Sequence, residues 1–167
     1  MPVRVLFVCL GNICRSPAAK AAFTRLVTNA GLRDDFVIDS AGTGSWHVGE
    51  AADERMRQAA STRGLAVTSI ARQVAAVDFE WFDHILAMDR DNLRALTERA
   101  PARHRRKVRL FRDFDPDAPG TDVPDPYYGG PEGFDEVLDI VTRTSRALLE
   151  TINPRSQVPG RDAATHP

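Results

Sequence analysis

Val3-Arg4-Val5-Leu6-Phe7-Val8-Cys9-Leu10-Gly11-Asn12-Ile13-Cys14-Arg15-Ser16-Pro17 decides how the chain is read. Val3 to Val8 is apolar except for Arg4 and rich in β-branched side chains, the pattern of a largely buried strand. Ser16-Pro17 then opens a helix, because serine is a good N-cap and proline is tolerated at the first helical position. Ala18, Ala22, Leu26 and Ala30 recur at helical spacing, and Gly31 ends the run. The segment between is a strand-to-helix turn. Such a turn aims backbone N–H groups at one point, and the helix N-terminus adds partial positive charge there. An oxyanion fits that point, and a cysteine placed there is favoured as a thiolate nucleophile.

The residue types inside the turn fit a phosphate dianion. Gly11 lets the backbone turn in and approach closely. The N–H groups from Leu10 to Arg15, through Asn12, Ile13 and Cys14, form a nest for the oxygens. Arg15 offers a planar fork that matches two of them. Cys9 sits at the base, and Ser16 is placed to donate a hydrogen bond to its sulfur. An isolated cysteine at a strand end is most often a packed core residue. Here the preceding strand, the internal glycine and the Ser-Pro helix start weigh against that bland reading.

Working outward, Phe36-Val37-Ile38 reads as a second strand and Ser40-Ala41-Gly42-Thr43-Gly44 as a loop. A helix is expected over residues 51–63, and Leu65-Ala66-Val67 is a brief extended piece. Asp83 to Met88 reads as a third strand, Asp91 to Glu98 as a helix and Val108 to Phe111 as a fourth strand. Asp113 to Gly133 is rich in Asp, Pro and Gly and reads as a long loop of the kind that often carries function. A strong amphipathic helix is expected over 134–152. Strands alternating with helices predict an α/β three-layer fold: a central, mostly parallel four-stranded sheet flanked by helices. One domain over residues 1–152 is expected, followed by a poorly ordered tail over 153–167. Ligands of such sheets bind beyond the carboxyl ends of the strands, where the Cys9 turn lies.

Composition narrows the function. The formal net charge is -1, so nothing points globally to nucleic acid or membrane. The two cysteines are both in the turn, which excludes a disulfide framework and a four-ligand zinc site. The opening apolar run is too short for a membrane span or a signal-peptide core. A reducing, cytoplasmic setting is expected, with leaderless export as the alternative. The basic run Arg99 to Arg112 has no interleaved aromatics and reads as a solvated face or a dock for acidic phosphopeptides.

Transfer of a phosphoryl group to sulfur needs an acid for the leaving group. Asp125-Pro126-Tyr127-Tyr128, in the long loop, offers one, with two flat walls for an aromatic ring. By spacing alone the segment reads more readily as a surface Asp-Pro turn.

With the Cys9 turn, Ser40-Ala41-Gly42-Thr43 and Asp125-Pro126-Tyr127-Tyr128 in this order, the chain resembles the low-molecular-weight protein tyrosine phosphatases over residues 3–152. The resemblance implies hydrolysis of phosphotyrosine in proteins, and of small aryl phosphates, through a phosphocysteine on Cys9. Asp125 would serve as acid and then base, and Arg15 would hold the phosphoryl group. It casts Asn12 as a loop-shaping residue supported by Ser40, and Leu10, Trp46, Tyr127 and Tyr128 as the entrance for the substrate ring. Cys14 becomes a candidate for trapping an oxidised Cys9 as a disulfide. No metal or other cofactor is implied, and the partners would be tyrosine-phosphorylated proteins met by a monomer or weak dimer. The family's frequent histidine before the segment Arg72-Gln73-Val74 is absent, so the Asn12 network is expected to be shorter or completed by Ser69.

Three other functions stay in view. A protein-arginine phosphatase carries threonine at the position of Ile13, by resemblance. An arsenate reductase on this fold needs further cysteines. A non-catalytic phosphopeptide-binding module could dispense with Cys9 or Asp125. Among lesser candidates, His47 is expected at the rim and His84 in simple packing. Asp89 is read as a helix N-terminal charge with a possible place near the site.

Overall fold

The computed structural model describes residues 1–155. Its elements in chain order are β1 (Val3–Cys9), α1 (Arg15–Asn29), β2 (Phe36–Gly42), α2 (Glu54–Ser61), α3 (Ala76–Trp81), β3 (His84–Ala87), α4 (Arg90–Arg99), β4 (Val108–Leu110) and α5 (Pro131–Ile152). The strands pair in the order β2-β1-β3-β4. All three pairings are parallel, so the sheet is wholly parallel.

Alternation along β1 sorts the core into two layers. Val5, Phe7 and Cys9 face a cluster built with α1, α2 and α5, including Phe23, Met56 and Leu138. Leu6 and Val8 face the other way, onto Phe79 of α3 and Leu96 of α4. Val5 to Val8 are all fully buried, which is why the sequence shows a continuous apolar run there. Phe7 meets Phe23 and Phe111 edge-on, at 5.8 and 5.2 Å between ring centroids, and ties α1 to the segment that follows β4, on the same face of the sheet.

Several local expectations shift. The stretch Ser40-Ala41-Gly42 reads as loop by composition but continues β2, opposite Phe7, Val8 and Cys9. Pairing with a fully buried neighbour overrides its weak intrinsic preference. The helix α1 starts at Arg15, with Cys14 at its cap, so Ser16 lies inside the first turn and caps nothing. The helix expected from residue 51 begins at Glu54, because Ala51 bridges Ile70 and the Asp53 carboxylate accepts from the Arg55 N–H as N-cap. The short α3 has too few residues to show a period; Asp78 secures its start by accepting from the Ala75 N–H at 2.7 Å. Leu65 and Val67 are buried without joining the sheet. The helix α5 begins earlier than expected, with Pro131 in its first turn.

The long loop is pinned along its length. Asp115, buried, takes paired hydrogen bonds at 2.9 Å from Arg143 of α5 and another at 2.9 Å from Arg112. Asp122 accepts from the Arg90 N–H at 3.0 Å, and the Val123 N–H donates to the Met88 carbonyl at 2.7 Å. Of the expected tail, Asn153 to Arg155 are placed, with Arg155 2.8 Å from Asp35; residues 156–167 lie outside the described residues. Among the described residues no helix is long and apolar enough to cross a membrane.

Candidate active site

The strand β1 delivers Cys9 to the carboxyl edge of the sheet, and the chain must reverse before α1. Asn12 makes the reversal, at φ 57°, and is the one non-glycine residue with positive φ among those described. Asparagine tolerates this left-handed region better than most residues. Gly11, expected to supply the turn, instead supplies space: a Cβ there would stand 3.0 Å from the His47 ring. The turn places the Asn12 N–H 3.3 Å from Cys9 Sγ.

The Asn12 side chain, 1% exposed, holds the loop from behind. Its amide donates to Ser16 Oγ at 2.8 Å and to Ser40 Oγ at 2.9 Å. Its carbonyl accepts from the Arg72 backbone N–H at 3.0 Å. Arg72 is brought there by β2, since Gly42 exchanges backbone hydrogen bonds with Arg72 and Val74. The network is thus closed by main chain and not by Ser69, which lines a separate cavity with Lys20 and Thr24. Ser16 Oγ also lies 3.0 Å from Cys9 Sγ. Because that oxygen already accepts from Asn12, its own proton is available to the sulfur.

Arg15 is 3% exposed and oriented by three groups. Its Nη1 lies 2.6 Å from Asp89 Oδ2 and 3.1 Å from the Val123 carbonyl. Its Nη2 lies 3.7 Å from Asp125 Oδ2. Burial works against the Arg15 charge, yet Cys9, Asp89 and Asp125 outweigh it and raise the pKa above the ordinary arginine value. Asp125 itself is held by a local turn, its Oδ1 accepting from the Tyr127 N–H at 3.1 Å.

These groups bound a cavity of about 330 Å³. Cys9, Gly11, Ile13, Cys14 and Arg15 form its base. Leu10, Trp46, His47, Tyr127 and Tyr128 stand around it, with Asp125 beside them. Trp46 and Tyr128 are 72% and 92% exposed, so the mouth is apolar and open to a partner. Tyr127 and Tyr128 meet edge-on at 4.8 Å. Of the residues singled out by sequence, Asn12, Ser16 and Ser40 do not line the cavity; their side chains act on the loop. Cys9 and Cys14 are both free thiols. Burial, then the nearby Asp53 and Cys9, push the Cys14 thiol far above its ordinary pKa. Among the described residues no cluster of His, Cys, Asp or Glu could hold a metal ion.

Comparisons with known proteins give the family. A protein-family model described as low molecular weight phosphotyrosine protein phosphatase matches residues 4–158. The chain belongs to that family. A low molecular weight protein-tyrosine-phosphatase from Streptomyces coelicolor is 48% identical over 98% of this chain and 100% of its own length. The human low molecular weight phosphotyrosine protein phosphatase is 39% identical over 87% of this chain and 93% of its own. The crystal structure of a protein tyrosine phosphatase from Entamoeba histolytica aligns with a TM-score of 0.89 at 44% identity, covering 92% of this chain and 99% of that one.

Within this member of the low molecular weight phosphatases, the sequence under-read some neighbours of the site. Asp89 is both the N-cap of α4, accepting from the Asn92 N–H at 2.7 Å, and the partner of Arg15. Its position just after β3, at the same sheet edge as Cys9, was the available signal. Arg72 and Arg55 gave none, because each reaches the site through a backbone group. His47 does line the mouth, paired to Glu50 at 2.8 Å. His84 starts β3, at the sheet edge opposite the cavity, and burial lowers its pKa. Of the basic run, Arg99 to Lys107 lead into the amino end of β4, away from the cavity, whereas Arg112 follows β4 and donates to the Asp122 carbonyl at 2.8 Å.

Proposed function

We propose that this chain hydrolyses the phosphate ester of phosphotyrosine in proteins, and of small aryl phosphates, with Cys9 as nucleophile. The observation that carries the reading is one cavity presenting the Cys9 sulfur at its base, Arg15 beside it and Asp125 Oδ2 3.7 Å from the guanidinium. The sulfur lone pair attacks phosphorus, the S–P bond forms and the P–O bond to the phenol breaks. Asp125 gives its proton to the departing oxygen. Water then attacks the phosphocysteine, with the Asp125 carboxylate taking its proton and the thiolate leaving. The Ser16 hydroxyl 3.0 Å from the sulfur favours the thiolate both as nucleophile and as leaving group. Arg15 Nη1 is committed to Asp89 and Val123, which leaves the rest of the fork for phosphoryl oxygens.

The substrate class rests on the walls. Trp46, Tyr127 and Tyr128 offer flat apolar faces suited to a phenyl ring, and Ile13 at the base is apolar. An apolar Ile13 weighs against a phosphoarginine guanidinium. The chain holds no cysteine beyond Cys9 and Cys14 to relay a disulfide, which weighs against arsenate reduction. A purely binding module has no need of Cys9 and Asp125 together. A reducing cytoplasm would keep Cys9 usable, and Cys14 would guard it by trapping a sulfenic acid as a disulfide.

Hydrolysis of para-nitrophenyl phosphate and of a phosphotyrosyl peptide, without added metal, tests the reading. Cys9→Ser is expected to abolish turnover while still binding phosphate, because the cradle stays. Wild-type turnover retained by Cys9→Ser would overturn it.

A further inference from the structure

The Asp125 loop and the Cys9 loop come from distant parts of the chain, and something must fix one against the other. The start of α2 does so. The Asp53 N–H donates to the Ile13 carbonyl, in the Cys9 loop, at 2.9 Å. The Asp53 carboxylate takes two side-chain hydrogen bonds from Arg55, from Nε at 3.1 Å and from Nη2 at 2.9 Å. The remaining nitrogen, Arg55 Nη1, donates to the Tyr127 carbonyl at 3.1 Å. The same guanidinium lies 5.3 Å from the centre of the Tyr127 ring and 4.8 Å from that of Phe134, at the start of α5.

We propose that Asp53 and Arg55 form a clamp that sets Asp125 against Cys9, making Arg55 a positioning residue for proton transfer to the leaving group. This rests on the phosphatase reading given above. Asp125 is two residues from the carbonyl that Arg55 holds, and its Oδ1 accepts from the Tyr127 N–H, so the peptide units on both sides of Tyr127 Cα are fixed. The Asp125 loop has its other anchor at Val123, whose carbonyl and N–H bind Arg15 and Met88. Between these two anchors Asp125 cannot swing without breaking one of them. Arg55 lies outside the cavity and touches no reacting atom, so its loss leaves the oxyanion cradle complete. The bidentate fork is required: a lysine has a point charge and cannot hold Asp53 and Tyr127 together.

Asp125 also takes the proton of water in the second step, which is the same for every substrate. The effect on proton donation is therefore read in kcat/KM, which reports the steps through P–O cleavage. A well-placed general acid is worth roughly 10²–10⁴-fold, and misplacing it forfeits a part of that. Arg55→Ala and Arg55→Lys are each expected to lower kcat/KM about tenfold for aryl phosphates with poor leaving groups. They should leave kcat/KM for a substrate with an acidic phenol nearly unchanged, and inhibition by inorganic phosphate unchanged. Asp53→Asn, which keeps an N-cap but loses the charge, should shift kcat/KM in the same sense by less. The measurement is kcat/KM against leaving-group pKa for wild type, Asp125→Ala and the three clamp variants, with phosphate inhibition constants and thermal midpoints alongside. A steeper leaving-group dependence in the folded clamp variants supports the proposal. A dependence parallel to wild type, with any loss uniform across leaving groups, overturns it. If wild type and Asp125→Ala already share one dependence, the phosphatase mechanism fails first, so the two failures are told apart.

Discussion

Arg15 Nη1 and Asp89 Oδ2 lie 2.6 Å apart beneath the cavity, and Asp89 at the same time caps α4 through its other oxygen. One carboxylate therefore aims the guanidinium and starts a helix. Asparagine caps as well as aspartate but carries no charge. Asp89→Asn should therefore keep the thermal midpoint within a few degrees. Its kcat/KM for aryl phosphates should fall about tenfold or more, since charge-assisted bonds are about twice as strong as neutral ones. Steady-state kinetics beside a melting curve separates the two roles.

Asn12 combines a left-handed backbone with three side-chain hydrogen bonds. Asn12→Ala loses all three and places a Cβ-bearing residue of lower tolerance at φ 57°. A loss of about 2–3 kcal/mol of stability is expected. Asn12→Gly relieves the backbone but not the network, so it should recover part of the stability and little of the activity. Denaturant unfolding with parallel assays checks the ordering.

Gly42 ends β2 where it meets the Cys9 loop. A Cβ there would lie 2.8 Å from the Leu10 carbonyl oxygen and 3.3 Å from Asn12 Cβ. Both neighbours are fixed, the first by the Gly44 N–H at 2.9 Å. Gly42→Ala should therefore push the loop outward, costing about 1–3 kcal/mol and a larger share of kcat than of substrate affinity.

Asp115 is buried and held far below the ordinary carboxylate range, first by Arg143, then by the Asp117 N–H and Arg112, against the opposing effect of burial. A carboxyl depressed in the folded state stabilises it above the unfolded pKa, and that contribution fades as pH falls below about 4. Arg143→Ala should cost about 2 kcal/mol at neutral pH and flatten the stability profile on the acid side. Unfolding free energies at pH 7 and pH 3 measure both.

Capture of an oxidised Cys9 by Cys14 requires the Cys14 thiolate, with loss of hydroxide or water from the sulfenic acid. Burial and the Asp53 charge oppose that ionisation. Disulfide formation after mild peroxide should be slow at neutral pH and accelerate as pH rises. Asp53→Asn should speed it. Mass spectrometry that finds sulfinic acid on Cys9 and no Cys9–Cys14 bridge at any pH would sink the guard role.

The strand-turn-helix at the amino end was legible because its period, its glycine and its arginine are all local. The same holds for α4 and α5. What the sequence concealed depends on pairing or on main-chain groups. Ser40 to Gly42 looks like loop until it lies beside β1. Arg72 and Arg55 serve the site through an N–H donated by one and a carbonyl grasped by the other, which no residue type announces. Asp89 was visible as a helix start, and its second bond needed the register of β3 against β1 to be known.

The cysteine rides on an inner strand, with neighbours on both sides. The Thr43 N–H reaches the Cys9 carbonyl from beyond β2, and the Met88 N–H reaches the Val8 carbonyl from beyond β3. Cys9 can therefore take its place only after residues some thirty positions later, and others some eighty positions later, have docked on either flank. In a refolding experiment, the return of turnover reports completion of the sheet and will lag behind the return of helical signal.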